Sequence, residues 1–281
     1  MNIQKYPAHS STLGPDFLQQ IAPVDITSID IASIDIASIE ATPITTTSKL
    51  IGILGGMGPL ATMDFANKIL SLTPAQCDQE HLPLLIHSVP QIPDRTAFLM
   101  QKAESPLPSL KQGLNTLISA GAGCIVIPCN TAHFWYPQLA AVSPVEILHI
   151  ARIASKKLSD QKVKTAALLA TDGTLKAGFY REVLESQGIT CLSPGQRIQQ
   201  QVMEGIYKVK SGQVVSGAKL LLDSANMMLD KGAEQIILGC TEIPIALDSI
   251  KSPIKEHSLD ATLALAEACI EWHQQDNKQA L

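Results

Sequence analysis

The sequence lacks the features that mark membrane-spanning, secreted and nucleic-acid-binding proteins. No stretch of the 281 residues approaches the roughly 18 uninterrupted apolar residues that a membrane span needs. The net charge of −5 provides no basic surface for nucleic acid or anionic lipid. No basic segment followed by an apolar run begins the chain, so we expect no secretory signal and a cytoplasmic location.

The cysteines lack the spacing of a disulfide framework. Six are present, irregularly placed, and no two form a C-x-x-C pair. In a chain without an expected secretory signal, they are predicted to be reduced thiols. The length, with 46% hydrophobic and 17% charged residues, is typical of a globular protein with room for one large domain or two small ones.

Residues 1–48 differ from the rest of the chain in composition. The stretch "DITSIDIASIDIASIE" repeats every five residues and places an acidic side chain at each repeat. A period of five matches neither a helix nor a strand, so no apolar face can form. We therefore predict that this segment is a low-complexity, disordered extension.

From Lys49 onward, apolar strands alternate with helices. The runs "KLIGILGG", "LPLLIHSVP" and "CIVIP" are typical of buried strands, and helices are predicted over 59–73 and 110–120. Strands that are apolar along their whole length, separated by helices, indicate a parallel sheet covered on both faces. The sequence therefore predicts an α/β fold.

The two halves of this region repeat one plan. Gly121 matches Gly232, and Cys129 matches Cys240, all at an offset of 111 residues. This internal duplication predicts two pseudo-symmetric lobes, each with a parallel sheet flanked by helices. Ligands of open parallel sheets collect at the carboxyl ends of the strands, so we expect the active site between the lobes.

The duplication also sets the predicted domain boundaries. The first lobe is assigned to residues 49–150 and the second to residues 151–257. The segment 258–281 contains a predicted helix with Asp260 as its N-cap, and we expect it to pack back on the first lobe.

Cys129 and Cys240 each follow an apolar strand, and a pair of thiols facing one ligand permits a particular reaction. One sulfur removes a proton from one face of a carbon while the other delivers a proton to the opposite face, which is racemisation. Each sulfur must lie about 3–3.5 Å from the carbon, which places the two sulfurs about 7 Å apart. One must be a thiolate, so its pKa must fall below the ordinary value of ~8.5.

Small polar side chains follow both cysteines. Asn130, Thr131 and Thr241 could hold a substrate carboxylate and stabilise a developing carbanion. Glu242 and His133 are placed to orient or tune the adjacent thiols. Two simpler interpretations remain open: Asn130 and Thr131 as helix caps, and His133 as an exposed helix residue.

Six motifs in order give the chain a family resemblance over residues 49–272. It resembles the aspartate/glutamate racemase superfamily, and within it the aspartate racemase branch, whose members are cofactor-independent racemases with two cysteines. The motifs are "IGILGGMGPLAT" (51–62), "HSVPQIPDRT" (87–96), "IPCNTAHFWY" (127–136), "LLATDGTLKAGFY" (168–180), "LGCTEIPIAL" (238–247) and "DATLALAEAC" (260–269).

The resemblance implies a role for each matching residue. Cys129 and Cys240 would be the catalytic acid/base pair. Met57 would line the pocket, and Arg95 and Lys176 would bind the side-chain carboxylate of L-/D-aspartate. The resemblance assigns Asn130, Thr131 and Thr241 to the α-carboxylate and α-amino group. It further implies no cofactor, no metal and a homodimer.

Other functions fit parts of the pattern. "GMGPLA" at 56–61 matches a dinucleotide fingerprint, but the acids Asp78 and Glu80 precede the next strand instead of ending it. A zinc site from Cys129, His133 and Cys240 would have poor ligand spacing. A glutamate, hydantoin or broad-specificity racemase, a maleate-type isomerase and a non-catalytic amino-acid-binding protein remain alternatives.

Overall fold

The fold comes from a computed structural model that describes residues 48–275. The predicted low-complexity extension therefore lies outside the described residues, except for Ser48. No helix within residues 48–275 is long and apolar enough to cross a membrane.

The first half of the described chain builds a four-stranded parallel sheet. Its strands lie in the order β2-β1-β3-β4, and all neighbouring pairs are parallel. β3 is shorter than the predicted run "CIVIP" because Pro128, which has no N–H, cannot extend the ladder. The strands are β1 (Ile51–Gly55), β2 (Leu84–Ser88), β3 (Cys124–Val126) and β4 (Glu146–Ile147).

The second half repeats this arrangement. The order is β6-β5-β7-β8, again all parallel, so each strand occupies the position of its counterpart in the first sheet. Gly121 and Gly232 precede corresponding strands with φ of 90° and 93°, a conformation that glycine adopts without strain. The prediction of two pseudo-symmetric α/β lobes is confirmed. The strands are β5 (Thr165–Ala170), β6 (Thr190–Leu192), β7 (Gln235–Gly239) and β8 (Ser258–Asp260).

Helices cover both faces of each sheet. Pro59 stands in the first turn of α1, as predicted, and α3 begins at Leu107, earlier than predicted, because prolines also suit its first turn. The helices are α1 (Pro59–Leu72), α2 (Arg95–Leu99), α3 (Leu107–Ser119), α4 (Tyr136–Ala140), α5 (Ile150–Asp160), α6 (Asp172–Ala177), α7 (Phe179–Ser186), α8 (Gln196–Lys210), α9 (Val214–Asp230), α10 (Glu242–Ser249) and α11 (Ala261–Gln275). Single 3-10 turns span Asp78–Glu80, Thr131–Trp135 and Pro253–His257.

The last helix, α11, packs against α1 and α5. Asp260 caps its start, since the carboxylate oxygen Oδ1 accepts from the backbone N–H groups of Thr262 and Leu263 at 2.8 and 3.1 Å. The other oxygen of Asp260 lies 2.8 Å from Lys68 Nζ on α1. This ion pair joins the end of the second sheet to a helix of the first lobe.

The largest apolar cluster is shared by the two lobes. It contains Ile53 of β1, Ile237 of β7 and Leu265 of α11, all without exposed surface. Two further clusters lie on the opposite faces of the sheets, one against α3 and one against α8 and α9. The shared cluster fixes the lobes against each other, and the carboxyl ends of β3 and β7 then meet at one cleft.

Candidate active site

A narrow cavity lies between the two lobes, at the carboxyl ends of the central strands. Cys129 lines it from the first lobe and Cys240 from the second, as the duplication predicts. Most of the other predicted site residues line the same cavity: Met57, Arg95, Asn130, Thr131, Thr241 and Glu242. The structure therefore brings residues that are far apart in sequence to one site.

Cys240 is a protonated thiol in this environment. Its side chain is buried, and Sγ donates to Glu242 Oε2 at 3.0 Å. Burial raises the pKa of the Cys240 thiol well above its ordinary value, and the negative charge of Glu242 raises it further. Lys210 opposes this shift without reversing it. Cys240 is therefore equipped to deliver a proton.

Glu242 collects three contacts on its buried carboxylate. Oε2 also accepts from Thr241 Oγ1 at 3.0 Å, while Oε1 lies 3.0 Å from Lys210 Nζ. Burial is the largest single effect and lowers the pKa of Lys210, but the charge and hydrogen bond of Glu242, together with Cys240 and Cys129, outweigh burial and raise it. Gly58 of the first lobe packs so closely that a Cβ there would lie 3.3 Å from Oε1. Glu242 thus sits where the lobes meet, with its charge compensated.

His133 supports the turn that carries Cys129. Nδ1 lies 3.0 Å from the Cys129 carbonyl oxygen, and Nε2 accepts from the backbone N–H of Ile150 at 3.3 Å, so the hydrogen is on Nδ1. Burial lowers the pKa of His133 to about 4, which leaves the ring neutral. With 2% of its surface exposed, His133 is a buried residue, and the interpretation as an exposed helix residue is wrong. Neither ring nitrogen is left for a metal.

Asn130 has one end of its amide engaged and one end free. Oδ1 accepts from the Tyr180 hydroxyl at 2.5 Å, whereas Nδ2 is buried without a partner among residues 48–275. The side chain makes no capping hydrogen bond, although Asn130 occupies the N-cap position of the following turn. The interpretation of Asn130 as a helix cap is therefore wrong. A buried donor without a partner suits a ligand oxygen.

Thr131 takes part in a triangle of hydroxyl groups that spans the lobes. Its Oγ1 lies 3.0 Å from Thr171 Oγ1 and 2.8 Å from Thr174 Oγ1, which are 3.1 Å from each other. Thr171 also caps α6 by accepting from the Thr174 backbone N–H. Thr131 lines the cavity, but its hydroxyl already has partners in the second lobe, so its contribution is to join the lobes beside the site.

Arg95 is a buried cation without a carboxylate partner in the described part of the chain. Its guanidinium donates to the carbonyl oxygens of Ile92, Pro93 and Met57 at 2.9, 3.1 and 3.2 Å. Nε is buried and has no partner within residues 48–275. Because carbonyl groups orient the charge without neutralising it, this side of the cavity favours an anion.

A comparison of the sequence with protein families agrees with this geometry. The Asp/Glu/Hydantoin racemase family model matches residues 54–269. The chain belongs to this family. The resemblance inferred from the six motifs is thus confirmed.

The chain is similar to racemases whose names give different substrates. The broad specificity amino-acid racemase RacX of Bacillus subtilis is 28% identical over 228 residues, which are 79% of this chain and 96% of that protein. The structure of Picrophilus torridus aspartate racemase is 30% identical, with a TM-score of 0.72 over 81% of this chain and 95% of that one. Glutamate racemase from Francisella tularensis, solved with D-glutamate, is 17% identical with a TM-score of 0.61 over 82% of each chain, and it shows the fold alone.

The structure places Lys176 outside the cavity of this racemase-family protein. Its side chain is exposed, and Nζ donates to the Leu99 carbonyl oxygen at 2.7 Å. Leu99 ends α2, where backbone carbonyl groups lack helical partners, and the ammonium of Lys176 satisfies one of them. Lys176 is therefore not among the residues that line the cavity, whereas a second cation, Lys210, is; that Lys176 binds the side-chain carboxylate stays a prediction.

Several lining residues of the racemase cavity escaped the sequence analysis. Lys210, Tyr207 and Met203 come from α8, and Thr171 precedes α6. On its own, α8 shows only the pattern of an amphipathic surface helix that ends with lysines. No local signal distinguishes Lys210 from its neighbour Lys208, because only the packing of α8 beside α10 brings Lys210 to Glu242.

Proposed function

We propose that the protein racemises an acidic amino acid, with aspartate as the preferred substrate, by proton transfer at Cα between Cys129 and Cys240. One observation carries the proposal: two cysteines from duplicated halves line a single cavity that also holds a buried, uncompensated guanidinium. Membership of the racemase family supports the reaction type.

The protonated state of Cys240 indicates which cysteine donates the proton in the proposed reaction. Burial and the negative charge of Glu242 hold Cys240 as a thiol, so we assign the role of base in the proposed reaction to Cys129. In the proposed step, the Cys129 thiolate takes the α-proton while the Cys240 thiol delivers its proton to the opposite face of Cα. The product is the other enantiomer, and Cys129 is then the thiol. Catalysis of the opposite enantiomer runs the same transfer in reverse.

Two donors support recognition of carboxylate groups. The guanidinium of Arg95 offers the planar fork that carboxylates prefer, and the Asn130 amide offers an unpartnered N–H beside Cys129. A substrate with carboxylates at both ends can use both donors, whereas a neutral amino acid can use only one. The aspartate racemase of Picrophilus torridus, which is 30% identical, supports aspartate within this class.

A broad substrate range is the second candidate. It is favoured by the similarity of the chain to RacX over most of both proteins. One methylene group in a pocket discriminates by only ~1–3 kcal/mol, so glutamate could compete with aspartate. The relative rates of the two acidic amino acids therefore belong in the first experiment.

The test is a panel of L- and D-amino acids incubated in deuterated water, with and without added pyridoxal phosphate or a chelator. We expect deuterium at Cα and loss of optical rotation for aspartate, unchanged by either addition. A protein that binds aspartate without exchanging the α-proton would be a non-catalytic binding protein, and the proposal would be wrong.

The assembly and location form a separate part of the proposal. From the family resemblance we expect a homodimer, and the cytoplasmic location stays the separate expectation stated in the sequence analysis. Light scattering at micromolar concentration and fractionation of cells test these two expectations. A monomer, or a protein recovered outside the cytoplasm, would contradict them without affecting the proposed reaction.

A further inference from the structure

Tyr180 is the largest side chain that the fold buries completely, and its hydroxyl reaches the site from the second lobe. The residue lies on α7 with 1% of its surface exposed. Its hydroxyl lies 2.5 Å from Oδ1 of Asn130, which directly follows Cys129 in the first lobe. A buried phenol requires a hydrogen-bond partner, and here that partner is a residue of the cavity wall.

This hydrogen bond determines which end of the Asn130 amide remains for a ligand. A separation of 2.5 Å is typical of an O–H···O bond and too short for N–H···O, so the phenol donates and the amide oxygen accepts. The amide nitrogen is then the free end. It is buried and has no partner among residues 48–275. A rotated amide would leave both the phenol hydrogen and the amide oxygen without a partner.

We propose that Tyr180 is a positioning residue for ligand recognition: by holding Oδ1 of Asn130, it presents Nδ2 to a carboxylate oxygen of the bound amino acid. The inference rests on the proposed function, since it names the substrate group that the amide recognises. In this arrangement, binding of the substrate carboxylate beside Cys129 depends on Tyr180, a side chain of the opposite lobe.

The neighbouring hydroxyl triangle does not supply this donor. Thr131, Thr171 and Thr174 engage one another, and Thr171 also accepts from a backbone N–H. Thr241 engages Glu242. Asn130 is therefore the small polar residue beside the cysteines whose donor has no protein partner within the described chain. Its orientation decides whether the cavity offers a donor or an acceptor to the ligand.

The experiment compares Tyr180→Phe with the wild type in two measurements. The first is the kinetics of aspartate racemisation, and the second is calorimetric binding of succinate, an achiral dicarboxylate that cannot be racemised. We expect KM for aspartate and Kd for succinate to rise about tenfold, with a much smaller change in kcat. Tyr136→Phe is the matched control, because Tyr136 packs against His149 outside the cavity. Its KM and Kd should equal those of the wild type.

Two variants of Asn130 separate positioning from simple structural support. Asn130→Asp keeps an acceptor for Tyr180 but replaces the donor with a negative oxygen, so succinate binding should be lost. In the double variant Tyr180→Phe/Asn130→Ala, succinate should bind no more weakly than in Asn130→Ala alone. Additive losses would mean that Tyr180 acts independently of Asn130, and the inference would be wrong.

The outcomes distinguish this inference from the proposed function. A wild type that racemises aspartate, with unchanged KM and Kd in Tyr180→Phe, overturns the inference alone. A wild type that binds succinate in a Tyr180-dependent manner but racemises nothing overturns the proposed reaction alone. Should Tyr180→Phe fail to fold, Asn130→Asp decides, since wild-type succinate affinity in that variant would overturn the inference.

Discussion

Lys210 Nζ lies 3.0 Å from Glu242 Oε1, and this contact connects the end of α8 to the thiol of Cys240. The carboxylate between them is buried, and the nearby ammonium compensates its charge. The opposite oxygen of the same carboxylate accepts from Cys240 Sγ. Glu242 therefore links the two groups: its charge favours the protonated form of Cys240, whereas the positive charge of Lys210 opposes that shift.

Replacing Lys210 should disturb catalysis through this contact. In Lys210→Met the buried carboxylate of Glu242, which accepts from Cys240 Sγ, loses its contact with the ammonium group. We expect kcat for aspartate to fall about tenfold or more, with a shifted pH profile, and Lys210→Arg to recover part of the loss. Steady-state kinetics between pH 6 and 9 give the measurement.

Lys208→Met is the matched control for that experiment. Lys208 lies in the same last turn of α8 but pairs with Glu204 on the surface, at 3.3 Å. This pair joins neighbouring turns of one helix away from the cavity lining and contributes little, so the kinetics of this variant should match the wild type. Equal behaviour of the Lys208 and Lys210 variants would show that Glu242 does not depend on Lys210.

Serine substitution of either thiol should separate the two half-reactions. Cys129→Ser and Cys240→Ser should each lose racemisation by at least a hundredfold, because each removes one acid/base group. Each variant should still exchange the α-proton of one enantiomer, and the two should differ in which one. Proton NMR in deuterated water, starting from pure L- or D-aspartate, measures the exchange.

The exposed Cys77 supplies the control for the thiol substitutions. Cys77→Ser should retain full activity, since the residue lies outside the cavity lining. Full racemisation by either Cys129→Ser or Cys240→Ser would refute the two-thiol mechanism.

The fold was predictable because its signals are local and repeated. Gly121 and Gly232 mark equivalent helix-to-strand turns, since both need a positive φ. Cys129 and Cys240 are separated by the same 111 residues as the two glycines. Because the two sheets have the same strand order, both cysteines lie at the carboxyl ends of equivalent strands. Asp260 was recognisable as an N-cap because capping depends on neighbouring backbone N–H groups. The turns and the cap can be read within a few residues of the sequence, and the equivalence of the cysteines can be read from the repeat of 111 residues.

Site residues that reach the cavity only through packing could not be predicted. Tyr180 and Lys210 lie on α7 and α8, and nothing in either helix marks the residue that will meet Asn130 or Glu242. Lys176 is the opposite case, a residue that a motif singles out and that does not line the cavity. Its motif predicts a binding role, but α6 ends near α2 and directs the ammonium to Leu99.

Arg95 and Lys176, the two cations that the motifs assign to substrate binding, lie in different places, and this difference can be tested. Arg95 lines the cavity, whereas Lys176 is exposed outside it. Arg95→Lys keeps the charge but loses the bidentate fork, so KM for aspartate should rise about tenfold to a hundredfold. KM for alanine, if alanine reacts, should change far less.

Lys176→Ala provides the comparison for Arg95→Lys. We expect KM for aspartate to stay within about twofold of the wild type, because the lost contact is one exposed hydrogen bond to a carbonyl. A larger rise for Lys176→Ala than for Arg95→Lys would mean that the exposed lysine, and not the buried arginine, recognises the substrate.

Two buried histidines should make stability fall in weak acid. The rings of His133 and His149 lie 5.0 Å apart, and burial lowers their pKa values to about 4 and about 3. The nearby His133 and Arg152 lower the pKa of His149 further. An unfolded chain takes up these protons near pH 6.5, whereas the folded chain does so only at lower pH.

The sign of the pH dependence follows from this difference. Above pH 6.5 neither state is protonated at these histidines, and their contribution to stability is complete. Between pH 6.5 and about 4 the unfolded state binds more protons, so each histidine lowers the free energy of unfolding by about 1.4 kcal/mol per pH unit. Urea denaturation at intervals from pH 7.5 to 4.5 measures the slope.

His149→Asn should remove one histidine's share of that slope. Asparagine can replace the cap that His149 Nδ1 provides to the Arg152 backbone N–H, so the comparison isolates the titration. The expected difference from the wild type is about 1.4 kcal/mol per pH unit between pH 6.5 and about 4. The exposed His257, changed to Asn, should leave the slope intact. If His149→Asn kept the wild-type dependence of the free energy of unfolding on pH, the loss of stability in weak acid would originate in other groups. Burial of the neutral His149 ring would then not be its cause.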